Sequence, residues 1–490
     1  MKTSTLAPVS AAALDSLVQC CVVGLESHGE LSESGKQMDM LGDGWLTRAV
    51  ARGDLSGKRG ELALLPNPSG SGVQSILVAG VGDRESMDAE AAFELGGTII
   101  RRLLDRPRGA IVVALEDFVP SRFQVDLVAG SVMAAEGQDL YQNPKKNHPP
   151  EMVQFMGFAE EVVDKGSILG SSMNLTRRLV NEPANHLYPE RFAQIARDLA
   201  EEWGFECEVW DEQRLDTERC HAMLAVGQAS DHESKLVILR YRGADEESPP
   251  LALVGKGVTF DSGGLSIKPS PSMVDMKCDM AGAATVLGTI LALARMRVPV
   301  NVMGYCGLVE NMIAGNALRL GDVIITRSGK SIEILNTDAE GRVVLADVLN
   351  VAIEARPSAI IDLATLTGAC MVALGTEVCG LFSNDPQLAG RLEKASREVG
   401  EYLWPMPMFP FYAELIRSKV ADIKNTGDGR WAGAITAAKF LEEFVENVPW
   451  AHIDIAGPAF AERAKGFRDA GGTGVMLRTL VRFLEPSVAE

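Results

Sequence analysis

Short apolar runs rich in β-branched residues recur at 18–25, 61–65, 75–81 and 110–115. Such runs, bounded by polar residues and turn formers, predict buried strands. Apolar residues fall at helical spacing over 88–104 and 126–135, so strand and helix alternate. The alternation predicts a small α/β domain over residues 1–155. A polar stretch, 141–150, ends in His148-Pro149-Pro150 and marks its boundary. Residues 160–180 predict one long helix within a linker spanning 156–180. It stops at Asn181-Glu182-Pro183, because proline disfavours the helical conformation in the residue before it. Pro189 suits the first turn of a further helix running to Ala200. A second alternating series then places strands at 206–210, 235–241, 251–255, 298–308, 331–335 and 359–363, with helices at 279–296 and 343–355. Over 181–490 this predicts a larger α/β/α domain, with helices on both faces of a mostly parallel, doubly wound sheet.

Composition narrows the function classes. The chain has 490 residues and a net charge of −19, which argues against a general nucleic-acid binder and against attraction to anionic membranes. The longest apolar run, 363–376, is shorter than the ~18 residues a membrane span needs. Near the start, Asp15 interrupts the apolar residues and Lys2 is the only cation, so no secretory signal is expected. Eight scattered cysteines without a CxxC pair predict reduced thiols and a cytoplasmic protein. With only six histidines, any metal site here relies on oxygen ligands.

Two stretches carry chemistry. In Asn336-Thr337-Asp338-Ala339-Glu340-Gly341-Arg342, a strand end turns into a helix start, and two carboxylates lie two residues apart. Carboxylates held that close repel unless a proton or a cation lies between them. Upstream, Lys256 stands between glycines at the end of an apolar strand. Asp261 lies in the turn Asp261-Ser262-Gly263-Gly264, Lys268 follows, and Asp279 opens the Ala/Gly-rich helix. Lys256, Asp261, Asp279, Asp338 and Glu340 all fall near predicted strand ends or helix starts, where doubly wound sheets bind ligands. Four carboxylates suit hard or borderline divalent ions such as Mn, Mg or Zn, and are enough for two of them. Ser328-Gly329-Lys330-Ser331 is not a phosphate loop, since Ile324 stands where the first glycine is needed. No G-x-S-x-G elbow and no H-E-x-x-H pair occurs either.

These segments resemble the leucyl aminopeptidase (cytosol aminopeptidase) family, bacterial type. Residues 336–342 are similar to its signature peptide. Residues 254–264 with Lys268, and 276–281, match its other metal-site segments in order and spacing, and 181–185 is similar to the opening of its catalytic domain. The resemblance covers about residues 160–490. It implies release of N-terminal residues, leucine and other apolar ones preferred, by a water activated between two divalent ions. Mn2+ or Zn2+ are implied first, then Mg2+ or Co2+. Lys256, Asp261, Asp279, Asp338 and Glu340 are implied as metal ligands, with Lys256 binding as the neutral amine. Lys268 is implied to stabilise the oxyanion, and Arg342 to hold a bicarbonate ion as general base. Met276 and Thr365 are implied to line the pocket for the first side chain. Cys278 departs from the aromatic that relatives often carry. The family further implies a homohexamer of two trimers, and the first domain is expected to serve assembly or regulation. Some relatives also bind DNA, which is kept as the alternative function.

Overall fold

The structure is a computed structural model that describes residues 1–8, 14, 17–67 and 72–486. By its contacts the chain forms two compact units. Residues 1–174 and 463–470 make the first, and residues 175–462 and 471–490 the second. The division falls inside the long helix Glu160–Asn181.

The first unit is built on six strands: β1 (Lys2–Leu6), β2 (Val18–Glu26), β3 (Leu62–Pro66), β4 (Ser75–Gly82), β5 (Ala110–Ala114) and β6 (Met152–Met156). They are ordered β1-β6-β5-β2-β4-β3, and only β3 runs antiparallel to its neighbour. Separate apolar clusters, one around Ile99 and Phe155 and one around Leu46 and Met38, form its core. β1 and the helices Glu33–Leu41 and Trp45–Arg52 have no counterpart in the periodicity of the sequence. All three are short, β1 and Glu33–Leu41 are mostly polar, and segments of this length depend on packing for their conformation.

The second unit carries β7 (Glu206–Trp210), β8 (Lys235–Arg242), β9 (Leu251–Asp261), β10 (Asn301–Asn311), β11 (Val323–Ile325), β12 (Ser331–Glu333), β13 (Ala359–Ala364), β14 (Val378–Ser383), β15 (Tyr402–Pro405), β16 (Ile423–Lys424) and β17 (Trp450–Asp454). Eight of them form one sheet, ordered β15-β14-β17-β13-β9-β10-β8-β7, in which β17, β13, β9 and β10 are mutually parallel. One large apolar cluster contains the helix Ala281–Met296 and another contains the helix Glu340–Ile353. The Ala281–Met296 helix lies close against the sheet because glycine faces it. A Cβ at Gly282 would collide with Leu363 O, and one at Gly255 would come 2.5 Å from Ala283 Cα. Two expected strands differ. Residues 331–335 supply β12, which pairs with β11 and β16 in a separate small sheet and not in the central one. β9 runs on to Asp261, six residues past its expected end at Gly255, because β10 pairs with it throughout.

Candidate metal centre

β9 supplies Lys256 and Asp261, and the loop that follows it supplies Lys268. A single 3-10 turn, Met276–Cys278, ends at Asp279. Asp338 lies in the turn before the Glu340–Ile353 helix, of which Glu340 is the first residue. Thr365 follows the end of β13. Lys256, Asp261, Asp279 and Glu340 are at most 4% exposed. Asp338 and Lys268 are half-buried.

The side chains pair in two groups. Lys256 Nζ lies 2.7 Å from Asp279 Oδ1 and 2.8 Å from Glu340 Oε1, and donates to Thr365 O at 3.1 Å. Lys268 Nζ lies 2.8 Å from Asp261 Oδ2 and 2.6 Å from Asp338 Oδ1. Oxygens of Asp261, Asp338 and Glu340 approach within 4.8 Å of one another and link the groups. Gly341 makes room for Lys256: a Cβ there would stand 2.5 Å from its Cε and 2.6 Å from its Nζ.

Four carboxylates here face two ammonium groups, and their ionisation reflects the excess of negative charge. Burial pushes Glu340 up to about 8, with Asp261 and Asp279 raising it further and Lys256 pulling it back. Burial also pushes Asp279 up to about 6, against the pull of Lys256. Burial raises Asp338 against the pull of Lys268. Desolvation opposes the charge on Lys256, but Asp279, Glu340 and Asp261 outweigh it and hold its pKa above the usual range for lysine. In this arrangement each ammonium bridges carboxylates as a metal ion would. Asp279 Oδ2 and Glu340 Oε2 are buried without a hydrogen-bond partner. Unpartnered buried oxygens in a surplus of carboxylate fit divalent cations, which supply the charge and the ligand positions that are missing.

Arg342 is also buried. Its Nη1 donates to Asn425 O at 3.0 Å, while its Nε has no partner. Burial lowers its pKa to about 10, and Glu340 and Asp454 act in the opposite direction. Thr365 Oγ1 donates to Asp279 Oδ1 at 2.7 Å, so its hydroxyl orients a carboxylate. Met276 is half-buried and packs against the apolar cluster around the Ala281–Met296 helix. Its backbone carbonyl accepts from Asp279 N at 3.4 Å, which closes the turn that carries that carboxylate.

Sequence reasoning missed the loop ties behind the carboxylates. Thr337 Oγ1 donates to Gly263 O at 2.7 Å and accepts from Ser266 N at 2.8 Å. Asn311, at the end of β10, donates to Asp261 Oδ1 at 2.8 Å. The one sequence signal was a polar Glu310-Asn311 pair directly after an apolar strand run.

A doubly wound sheet whose parallel strand ends gather buried carboxylates and lysines defines a candidate metal-binding hydrolase. Comparison with known proteins gives the family. The catalytic domain of the cytosol aminopeptidase family matches residues 174–481, and the family's N-terminal domain matches residues 22–145. A probable cytosol aminopeptidase of Rhodopirellula baltica is 54% identical over 437 residues, covering 89% of this chain and 86% of its own. One of Syntrophotalea carbinolica is 40% identical, covering 96% and 98%. Among solved structures, a tomato leucine aminopeptidase mutant superposes with a TM-score of 0.87 at 31% identity, covering 99% of this chain and 96% of its own. The bottromycin maturation enzyme BotP in complex with Mn gives 0.84 at 34% identity, covering 96% and 99%. The chain belongs to the cytosol aminopeptidase family. It is an aminopeptidase, a hydrolase of a metal-dependent family.

Proposed function

We propose that this aminopeptidase releases leucine and other apolar residues from peptide N-termini, using two divalent ions held by Lys256, Asp261, Asp279, Asp338 and Glu340. The observation that carries this reading is the buried carboxylate cluster with unpartnered oxygens on Asp279 and Glu340. Mn2+ is favoured because a structural neighbour is described in complex with Mn; Zn2+ is the alternative. When bound, such ions lower the pKa of water and polarise the scissile carbonyl.

The chain's own groups would do the rest. Glu340 and Asp279, whose protons burial favours, would give them up, and Lys256 would have to lose one to offer a lone pair. With Asp261 and Asp338 engaged as metal ligands, the Lys268 ammonium would be released to hold the developing oxyanion. The buried, unpartnered Nε of Arg342 supports a bicarbonate site there, with bicarbonate as general base. The substrate's free amino group would lie beside Asp279, which confines cleavage to the first residue. Thr365 and Met276 would flank its side chain.

The enzyme is proposed to work in the cytoplasm as a homohexamer of two trimers, with residues 1–155 serving assembly or regulation and 156–180 as the linker to the catalytic domain 181–490. Exposed Val323 and Ile325 on β11 support an interface on the second unit. No observation favours the DNA-binding alternative.

The test is hydrolysis of leucine p-nitroanilide after exhaustive chelation and after adding back Mn2+, Zn2+, Co2+ or Mg2+. Activity is expected to vanish on chelation and return with metal. Glu340→Gln should stay at least about 100-fold below wild type with every metal, since a ligand is lost. Full activity in the chelated enzyme would overturn the reading.

A further inference from the structure

β9 and β10 do not stay in one register. As far as Val309, which faces Val258, each β10 residue advances with its β9 partner. There the pairing slips, so Glu310 faces Phe260 and Asn311 faces Asp261. Thr259 is the extra residue on β9, and its hydroxyl donates to Val309 O at 3.2 Å. Without this bulge Asn311 would face Phe260, one residue short of the carboxylate. Bulges commonly re-aim a side chain next to a functional site.

The Asn311 side chain is 4% exposed and joins two loops. Its Nδ2 donates to Asp261 Oδ1 at 2.8 Å and to Thr337 O at 3.0 Å. A carbonyl only accepts, and the carboxylate beside Lys268 does likewise, so the amide orientation is fixed by its partners. Asp261 Oδ1 also accepts from Gly263 N at 2.8 Å. That oxygen therefore has two donors, and Oδ2, facing Lys268, remains the one free to take a cation. Thr337 immediately precedes Asp338, so the same amide ties the Asp261 end of the cluster to the Asp338 end. The Asn311 backbone adds to the clamp: its carbonyl accepts from Ser262 N at 3.0 Å and from Ser262 Oγ at 2.7 Å. Gly264 lies against it with φ +61°, where a Cβ would come 3.0 Å from Asn311 Oδ1.

We propose that Asn311 is a positioning residue for the metal centre, selecting Asp261 Oδ2 as the ligand atom and setting the spacing between Asp261 and Asp338. This rests on the two-ion reading above. Partners that orient a metal-binding carboxylate typically account for about 10–100-fold in metal affinity.

The test is a Mn2+ titration of the full-length protein, with free ion followed by its paramagnetic resonance signal, beside thermal unfolding of the metal-free protein. Asn311→Leu keeps the shape of the side chain and removes its donor; Asn311→Ser keeps polarity and loses the reach. Both are expected to bind Mn2+ about 10–100-fold more weakly than wild type. The resonance signature of two neighbouring Mn2+ ions should change as well, a readout that lower stability alone would not move. Should the leucine variant fail to fold, the serine variant carries the measurement. Wild type binding Mn2+ while a folded variant binds within threefold of it, with an unchanged signature, would overturn the role of Asn311 alone. Wild type binding no divalent ion would overturn the two-ion reading and this proposal with it.

Discussion

At the scale of single residues, the site stores its chemistry as frustrated ionisation. Glu340 and Asp279, pushed up to about 8 and about 6 by burial, hold protons in the metal-free protein that the unfolded chain would release near pH ~4. A carboxyl whose pKa is raised on folding contributes stability that is complete below its unfolded value and is lost as pH rises through its folded value. The metal-free protein is therefore expected to lose thermal stability between about pH 4 and pH 8 from these two groups. Bound Mn2+ should offset that loss, so the stabilisation by metal grows over the same window. Melting curves with and without Mn2+ across that range check this. A metal-induced shift in melting temperature that does not vary with pH would count against it. Asp338 and Glu340 were legible together from their spacing of two, and Asp261 joined them because it too falls in a glycine turn at a strand end. The ties from Thr365 and Asn311 were not, since they cross 86 and 50 residues to reach their carboxylates and carry no local signal.

At the scale of elements, alternation of apolar and polar positions located most strands of the first unit and the long helices as far as residue 355, but not the helix Pro386–Val399 or the strands beyond 364, one of which buries charge. β17, Trp450-Ala451-His452-Ile453-Asp454, carries two ionisable residues in a strand that is buried throughout. Tertiary pairing offsets their cost: Asp362 on β13 accepts from Trp450 Nε1 at 2.6 Å and pairs with His452 Nδ1 at 2.5 Å. Asp454 accepts from Thr367 Oγ1 at 2.7 Å. Such partners lie on a neighbouring strand about ninety residues away, so local patterning cannot register them. The Ala281–Met296 helix shows the reverse case, since its small residues did announce a close approach to the sheet. Gly282→Ala is expected to destabilise the protein by about 1–3 kcal/mol, because the added methyl meets Leu363 O in a packed interior. Urea unfolding reads this directly. An unchanged midpoint would show that the helix can shift outward without cost.

At the scale of the whole molecule, the proposed hexamer gives a direct prediction. Sedimentation equilibrium should return a mass near six chains of 52.5 kDa. Replacing Val323 and Ile325 together by glutamate should lower that mass while leaving the monomer folded by circular dichroism, because charges buried in an interface core without partners are costly. A wild-type monomer would overturn the assembly. The net charge of −19 and the shortness of the longest apolar run, 363–376, were visible in the chain. Among the described residues, one helical stretch is apolar enough to pass for a membrane span, residues 270–296, and it is 89% buried within its best window and serves as core.

The sequence by itself determined the alternating α/β plan and the family, through three motifs kept in order. It also marked out the residues of the cluster, because glycine turns, strand ends and acid spacing are local properties of a chain. Tertiary structure alone decided which carboxylate oxygens are left without partners, which lysine bridges which pair, and that a one-residue slip between β9 and β10 brings Asn311 opposite Asp261. Those outcomes depend on register and burial between segments distant in the chain, and pairing energies of that kind exist only once the sheet has formed.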